Sequence, residues 1–436
     1  MTALATQSLS PSLDRLREAF ERRFPGDDAI TQWRRGALER FLELGFPTQR
    51  DERWKYTNLR RLEMRKFTPA DAPRIVPPLP GTLSDASLRV ALVDGHCMPS
   101  LGHGAQPPGI TMFGLGQWLK NDPAEVAAYL RRLGPDPESA FENLNAAFLE
   151  DGLVIDVAAG TQWDEPIYVV HAWHTSGRMA HPRIVVRLGE NSRCTLIEHY
   201  IGGAQVESFT NAVITIEAQT GACLEHYRLQ QESPKTFHIS TVRARLAKDA
   251  HYYGHEIALG AGLGRADITG LLEGPGAEMK LRGLFAPTGS QHLDTYTRIE
   301  HIAPYTTSEE EFRGIADGRG RGVFNGKVKV HPHAQRIDAR QLSRNLLLSP
   351  TAEIDTKPEL EIYANDVKCS HGATTGQLDA TALFYLRSRG IDADTARALL
   401  IRAFAESILT SIEPKGLRET LEEWLTQRFS RTEAQA

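Results

Sequence analysis

The sequence predicts a mainly β protein, in which a core of short strands lies between helical N-terminal and C-terminal parts. From Leu153 to about Tyr363, β-rich runs such as IYVVHAW, RIVVRL and CTLIEHYI recur about every 10 to 15 residues. Apolar residues at helical spacing precede this region and follow it. Strands at such even spacing form either a sandwich or barrel, or a solenoid in which each coil stacks on the last. The period alone does not choose between these architectures.

Residues 1–67 are predicted to be a helical region. Leu13, Leu16 and Phe20 fall on one helix face, and a second helical stripe ends near Phe41. Residues 68–82 follow as a linker, because its five prolines disallow a continuous helix or a central strand. This linker marks the first domain boundary.

Residues 83–152 are predicted to be a mixed α/β segment that leads into the core. Leu88 to Val93 is a β-type run that ends at Asp94-Gly95. Helical patterns follow near residues 116–132 and 137–149.

The β core is assigned to residues 153–372. The turn pairs Asp317-Gly318 and Asn325-Gly326 slightly favour hairpins, and therefore antiparallel strands. A long β region without an obvious internal boundary suits a stacked parallel coil about as well. The residues themselves leave the choice open.

Residues 373–436 are predicted to be a C-terminal helical region. Its first helix stops at the C-cap signal Arg389-Gly390, and Asp392 or Asp394 can cap the next helix. The buried face of that second helix is predicted to contain Ala396, Leu399, Leu400, Ala403 and Phe404. Such an appendage usually covers the end of a β core, and its outer face can dock a partner.

Composition excludes several functional classes. The chain has 50 basic and 55 acidic side chains and a formal charge of -5, unlike the strongly basic proteins that bind nucleic acids without sequence preference. No stretch approaches the roughly 18 apolar residues of a membrane span, and the first residues carry no signal-peptide core. The four cysteines are far apart and form no CxxC pair, so neither a self-contained zinc site nor a disulfide framework is predicted. We therefore expect a cytoplasmic protein that binds neither nucleic acid nor membrane.

Three motifs resemble functional sites but lack residues that those sites require. Arg321 stands where a phosphate loop ending at Gly326-Lys327 needs its first glycine, so ATP hydrolysis is not expected. An RNA contact through the arginines and glycines of this segment is disfavoured, because acidic residues 309–311 precede it and interleaved aromatic residues are missing. The pair His331-Pro332-His333 lacks a carboxylate or thiol at defined spacing, so a structural role is favoured over metal binding.

The segment EIYANDVKCSHGATTG contains the strongest candidate site. In an extended strand the side chains at i and i+2 leave the same face, so Cys369 and His371 are expected to project together. A thiolate and an imidazole suit iron, iron-sulfur clusters or zinc. Two ligands are half a site, so the remaining ligands must come from other residues or from another subunit. The alternatives are a buried thiol beside a backbone-bonded histidine, and a Cys-His nucleophile, for which no orienting acid is evident.

At these residues the chain resembles the SufB/SufD family of SUF iron-sulfur cluster assembly proteins. DERWKYTNLR near Asp51 resembles the N-terminal signature of that family, and FENLNAAFLEDG near Phe141 resembles the start of its β core. The long block RNLLLSPTAEIDTKPELEIYANDVKCSHGATTG resembles its C-terminal core. The sequence CSHGAT followed by LFYLRSRGI is similar to the SufD branch rather than the SufB branch. The resemblance implies a right-handed parallel β-helix flanked by helical N-terminal and C-terminal parts.

The same resemblance implies partners and a site. It implies a complex with SufB and with the ATPase SufC, and a transient iron-sulfur cluster at the SufB-SufD interface. His371 matches the family histidine at that interface, and Cys369 is its neighbour in the motif. Asn365 departs from the pattern, because the family commonly has an acidic residue there. The family is also linked to reduced flavin, for which this sequence offers no assignable residue. The implied SufC-docking residues are Leu383, Phe384, Tyr385, Leu386, Arg389, Leu399 and Phe404.

The sequence therefore predicts a non-enzymatic scaffold subunit for iron-sulfur cluster assembly. A further role in iron acquisition is compatible with this prediction. One alternative is a β-helix enzyme acting on polysaccharides, in which Asp338, Asp355 and Asp366 would perform acid-base chemistry. The other is a purely structural homodimeric solenoid. A homodimer in the absence of the partners is compatible with both the scaffold and the structural interpretation.

Overall fold

The computed structural model describes residues 10–73, 88–98 and 106–429 of the chain. Residues 74–82 of the predicted linker and residues 83–87 of the segment after it lie outside these ranges. The described helices are Pro11–Arg23 (α1), Ala29–Leu44 (α2), Arg60–Glu63 (α3), Leu115–Asn121 (α4), Pro123–Leu133 (α5), Ala140–Ala147 (α6), Ala380–Ser388 (α7), Ala393–Leu409 (α8) and Lys415–Phe429 (α9), with a 3-10 turn at Glu52–Trp54. None of the helices in this part of the chain has the length and apolarity that a membrane span needs.

The β region begins with short strands and continues with strands of similar length. The described strands are Thr68–Pro69 (β1), Leu88–Val93 (β2), His96–Met98 (β3), Ile110–Gly114 (β4), Gly152–Val157 (β5), Gln162–Trp173 (β6), Arg178–Ala180 (β7), Arg183–Leu188 (β8), Arg193–Gly202 (β9), Ser208–Ala218 (β10), Cys223–Gln231 (β11), Phe237–Leu246 (β12), His251–Ala258 (β13), Leu263–Leu272 (β14), Glu278–Phe285 (β15), His292–His301 (β16), Thr307–Ala316 (β17), Arg321–Val330 (β18), Ile337–Leu347 (β19), Glu353–Ile362 (β20) and Val367–Gln377 (β21).

These strands form two facing sheets, and successive core strands alternate between them. The first sheet has the order β20-β18-β16-β14-β12-β10-β8-β5-β4, and the second has the order β21-β19-β17-β15-β13-β11-β9-β6-β2-β3. Core neighbours are parallel and in register, as Leu263 with His292 and His292 with Arg321 show. The core is thus a parallel β-solenoid of about 8 turns with helices at both ends of the chain. The predicted parallel β-helix is confirmed.

The slight preference for antiparallel core strands is wrong. Asp317-Gly318 does lie in a turn, but this turn joins β17 and β18, which belong to different sheets. Asn325-Gly326 is not a turn and lies inside β18. A side-chain carbon on Gly326 would come within 2.1 Å of Gln341 Nε2. The glycine is therefore required by the close approach of a side chain from the opposite sheet, not by a hairpin.

The N-terminal helices cover the outer face of the first sheet. Phe41 and Phe141 belong to a buried cluster that includes Phe209 of β10. The segment DERWKYTNLR packs on later coils, where the ring of Trp54 lies 3.9 Å from the guanidinium carbon of the buried Arg265. This stacking and burial explain why the segment is rich in aromatic and charged residues.

The C-terminal helices α8 and α9 cover the outer face of the second sheet. Asp392 caps α8 by accepting the Thr395 N–H at 2.9 Å, as one of the two predicted caps. The predicted buried stripe on α8 is largely wrong, because Ala396 alone among its five residues is buried and Leu399 is exposed. α8 is apolar on most of its circumference, so packing against β15 and β17 decides which side is covered. The buried residues are Ala396, Ile401, Ala405, Ile408 and Leu409.

The last coil leaves the solenoid open. Among the described strands, β20 pairs only with β18 and β21 pairs only with β19, so each has one edge that no described strand covers. Every residue of β20 and β21 is exposed or half-buried, unlike the strands of the earlier coils. Beyond β20, the ring of Tyr363 is 59% exposed. Long unpaired edges of this kind are sites for strand addition unless they are covered.

Candidate functional site

Cys369 and His371 lie on β21, the final strand of the solenoid. In-register pairing places Cys369 beside Ala339 and His371 beside Gln341 of β19. Cys369 packs on an interior cluster that includes Val328 and Ala339. Because residues two apart in a strand share a face, His371 also belongs to the inner face at the open end. The structure therefore places the two predicted ligands on one face, where a second molecule can reach them.

The two side chains differ in burial and in protonation. His371 is exposed, whereas Cys369 is half-buried. Burial raises the pKa of the Cys369 thiol, and the negative charge of Asp338 raises it further. The thiol therefore stays protonated at neutral pH in the isolated chain. A metal ion would have to displace this proton, because the thiolate is the form that binds metal.

The donor set at this end is incomplete. In the described ranges, no group of three or more His, Cys, Asp or Glu side chains is arranged to hold a metal ion. An iron-sulfur cluster or a zinc ion takes about four protein ligands. Cys369 and His371 can supply two of these. The geometry of this part of the chain thus fits a shared site better than a self-contained one.

Two further polar residues lie behind the predicted pair, and the sequence did not reveal them. Glu310 on β17 and Gln341 on β19 are buried, and Gln341 Nε2 donates to Glu310 Oε2 at 2.7 Å. Burial raises the pKa of Glu310 to about 7. Its neighbours Glu309 and Glu311 face outward and pair with arginines. Because side chains alternate between the two faces of a strand, the acidic run 309–311 was the available signal for an inward-facing glutamate. The register of the coils was needed to place Gln341 beside Glu310.

Four of the seven predicted docking residues are exposed, and we call them together the C-terminal helical surface: Phe384, Tyr385, Arg389 and Leu399. Phe384 and Tyr385 are 72% and 55% exposed. The Arg389 guanidinium carbon lies 4.3 Å from the centroid of the Tyr385 ring. α7 has no buried residue, and it packs against α8.

The other three predicted docking residues are half-buried. Leu383 and Leu386 belong to α7, and Phe404 faces the solenoid rather than solvent. The Arg313 guanidinium on β17 lies 5.1 Å from the Phe404 ring centroid and donates to the Phe404 carbonyl at 3.1 Å. Phe404 therefore joins α8 to the second sheet.

The remaining candidate motifs are occupied by local contacts. His331 Nε2 lies 2.8 Å from Glu300 Oε2, so this histidine is held by a carboxylate of the preceding coil. Asp338, Asp355 and Asp366 each lie beside a different arginine, at 3.0, 2.7 and 3.5 Å. Three basic side chains of the glycine-rich segment are likewise paired with carboxylates: Arg313 with Glu311 at 2.9 Å, Arg321 with Asp355 at 2.7 Å and Lys327 with Glu361 at 2.6 Å.

Comparison with known proteins assigns the family. Residues 171–404, which include the open end and the C-terminal helical surface, match the family model described as "SUF system FeS cluster assembly, SufBD core domain". Residues 85–169 match the SufBD protein N-terminal region. The chain belongs to the SufBD family.

Named members of the SufBD family align over nearly the whole chain. The iron-sulfur cluster assembly protein SufD of Escherichia coli is 33% identical over 403 residues, which cover 90% of this chain and 91% of that protein. The SufBD family protein slr0076 of Synechocystis is 32% identical over 92% of each chain. The chloroplastic protein ABCI7 of Arabidopsis thaliana is 29% identical over 88% of this chain and 83% of its own length. The similarity to SufD confirms the predicted relationship.

Proposed function

We propose that this SufBD-family chain is a non-catalytic scaffold subunit, which builds nascent iron-sulfur clusters together with a SufB-type subunit and a SufC-type ATPase. The observation that carries the proposal is the incomplete ligand pair Cys369 and His371 on the unpaired final strand. A scaffold of this type works in the cytoplasm and can also take part in acquiring iron. The proposal assigns no residue of the chain to flavin.

The open end supports a partner with the same architecture. One edge of β20 and one edge of β21 pair with no described strand, and the backbone N–H and C=O groups along such an edge can be satisfied by a strand of another molecule. A second β-helix that adds its own end strands would cover the inner face that carries Cys369 and His371. Its side chains would then complete the ligands, and the cluster would form between the subunits.

The packing of the C-terminal helices supports a mechanical link to an ATPase. α8 rests on β15 and β17, and Arg313 ties the Phe404 carbonyl to β17. β17 is joined to β21 through β19 in the same sheet. A partner that moves α7 and α8 would therefore move the sheet whose edge carries Cys369 and His371. ATP hydrolysis belongs to the partner, because the chain lacks a phosphate loop.

The enzymatic alternative is less well supported. General acid-base catalysis on a glycan needs two carboxyl groups that face one bond. Asp338, Asp355 and Asp366 are each engaged by a separate arginine. Their arrangement is that of surface ion pairs. We therefore favour the scaffold over a polysaccharide-acting enzyme.

Replacing His371 with alanine tests the proposed site. In a complex reconstituted without oxygen from ferrous iron and a sulfide donor, we expect cluster formation to fall by about tenfold or more, because a ligand is lost. Iron, acid-labile sulfide and visible absorption measure the yield. The matched control is His333→Ala, which alters an exposed histidine in the turn after β18. Undiminished yield with His371→Ala would remove His371 from the site.

Replacing Phe384 with serine tests the C-terminal helical surface. Loss of a central aromatic contact typically lowers affinity by about tenfold or more, so binding to a purified SufC-type ATPase should weaken to that extent. Thermal stability should hardly change, because the ring is 72% exposed. Met64→Ser is the control, since Met64, the C-cap residue after α3, is 71% exposed. Equal affinity for the Phe384→Ser protein and the parent in a calorimetric titration would count against docking at this surface.

A further inference from the structure

A column of three polar residues runs inward from the open end of the solenoid. Register pairing places Glu310 beside Gln341, and Gln341 beside His371, on β17, β19 and β21. The three side chains therefore occupy the same position on successive coils and leave the same face of the sheet. Glu310 and Gln341 are 1% and 3% exposed, whereas His371 lies at the exposed mouth.

The inner half of this column is already hydrogen-bonded. Gln341 Nε2 donates to Glu310 Oε2 at 2.7 Å, across one step of the coil. The other end of the same amide, Gln341 Oε1, is buried and has no hydrogen-bond partner among the residues that the structure describes. Leaving a buried acceptor unsatisfied costs about 1 to 3 kcal/mol, so such an atom calls for an explanation.

The neighbours of Gln341 restrict which group can satisfy that oxygen. On the opposite sheet the amide lies against Gly326, which offers no side chain. On one side the amide nitrogen is engaged with Glu310. On the other side the next residue of the column is His371. Gln341 and Glu310 are in-register neighbours on adjacent strands and are joined by a hydrogen bond. His371 and Gln341 are in-register neighbours in the same way.

We propose that Gln341 is a positioning residue for His371, with the ring N–H donating to Gln341 Oε1 and Glu310 holding the amide nitrogen. This arrangement fixes one tautomer of the imidazole and leaves its other nitrogen unprotonated and facing the open end. A histidine ligand requires that form, and metal-binding histidines commonly donate their second N–H to an oxygen behind them. The inference rests on the proposed function, in which His371 is a cluster ligand.

The orientation of the ring can be measured in the full-length chain without any cluster. We expect ¹⁵N-histidine NMR spectra at about pH 8 to show one dominant tautomer for His371. The resonances of His371 are identified by their loss in His371→Ala. In Gln341→Met, which keeps the length but removes the amide, the tautomer ratio should fall by about threefold or more towards that of free imidazole.

Two further variants keep the test decisive. The exchange Glu310→Gln with Gln341→Glu retains the polar column and again points an oxygen at His371, so the parent tautomer should return even where Gln341→Met folds poorly. Ser343→Ala is the matched control, because Ser343 is buried on the same strand but pairs with Ala373. Its spectrum should match that of the parent. An unchanged tautomer ratio in Gln341→Met, or a failure of the exchange to restore it, would overturn the inference.

Cluster assembly separates this inference from the proposed function. In the reconstituted complex, Gln341→Met should lower cluster yield by about tenfold, which is typical for the loss of a residue that supports a metal ligand. If His371→Ala leaves the yield intact, the proposed function fails, while the NMR result on Gln341 still decides the positioning role. If His371→Ala abolishes the yield and Gln341→Met does not change it, the function stands and the positioning role is refuted.

Discussion

The fold should lose several kcal/mol of stability between about pH 7.5 and pH 5, because protonation of four buried histidines is linked to unfolding. His181, His199, His255 and His301 are each at most 7% exposed. Burial lowers the pKa of His181 to about 3 and the pKa of the other three to about 4. They are therefore neutral in the folded protein throughout this pH range.

The loss of stability at low pH follows from the protonation of these histidines in the unfolded state. An exposed histidine has a pKa of about 6.5, so the unfolded chain takes up protons below that pH while the folded chain does not. The unfolded state is thus favoured progressively as the pH falls from about 6.5 towards 4. At pH 5 each such histidine costs about 2 kcal/mol of unfolding free energy. The four together make this the largest effect on stability that we expect.

Urea denaturation at several pH values measures the loss. His301 is held between Thr306 Oγ1 at 2.8 Å and Ser308 Oγ at 2.9 Å, and His301→Gln removes its titration while it keeps a polar side chain. The number of protons that the chain takes up on unfolding at low pH should then fall by about one, even if the variant is less stable at pH 7.5. Equal unfolding free energies at pH 7.5 and pH 5 would show that these histidines do not control stability.

The sequence was sufficient for the fold class and insufficient for the way the strands pair. Even spacing of β-rich runs indicated a repetitive β core, but that spacing is common to hairpins and to coils that alternate between two sheets. Asn325-Gly326 resembles a hairpin turn, and its glycine is instead required by the Gln341 side chain from the opposite sheet. The family resemblance, rather than local chemistry, predicted parallel coils.

The sequence was also insufficient to predict which face of α8 is buried and which polar side chains meet inside the solenoid. α8 carries apolar residues around most of its circumference, so Leu399 was assigned to the buried side that Ile401 and Ile408 occupy. The shared face of Cys369 and His371 follows from strand alternation and needed no tertiary information. Gln341 and Glu310 could not be found this way, because their contact depends on the register between coils separated by 31 residues.

Iron and sulfide content after anaerobic purification tests the central claim most directly. The chain should be purified alone and together with the proposed SufB-type and SufC-type partners, and both samples should be supplied with ferrous iron and a sulfide donor. We expect an iron-sulfur absorption band with matching iron and sulfide in the complex, and only background iron in the chain alone. Because Cys369 and His371 would supply only about half of the ligands that a cluster takes, a stable cluster on the isolated chain in a stoichiometric amount would contradict the proposal.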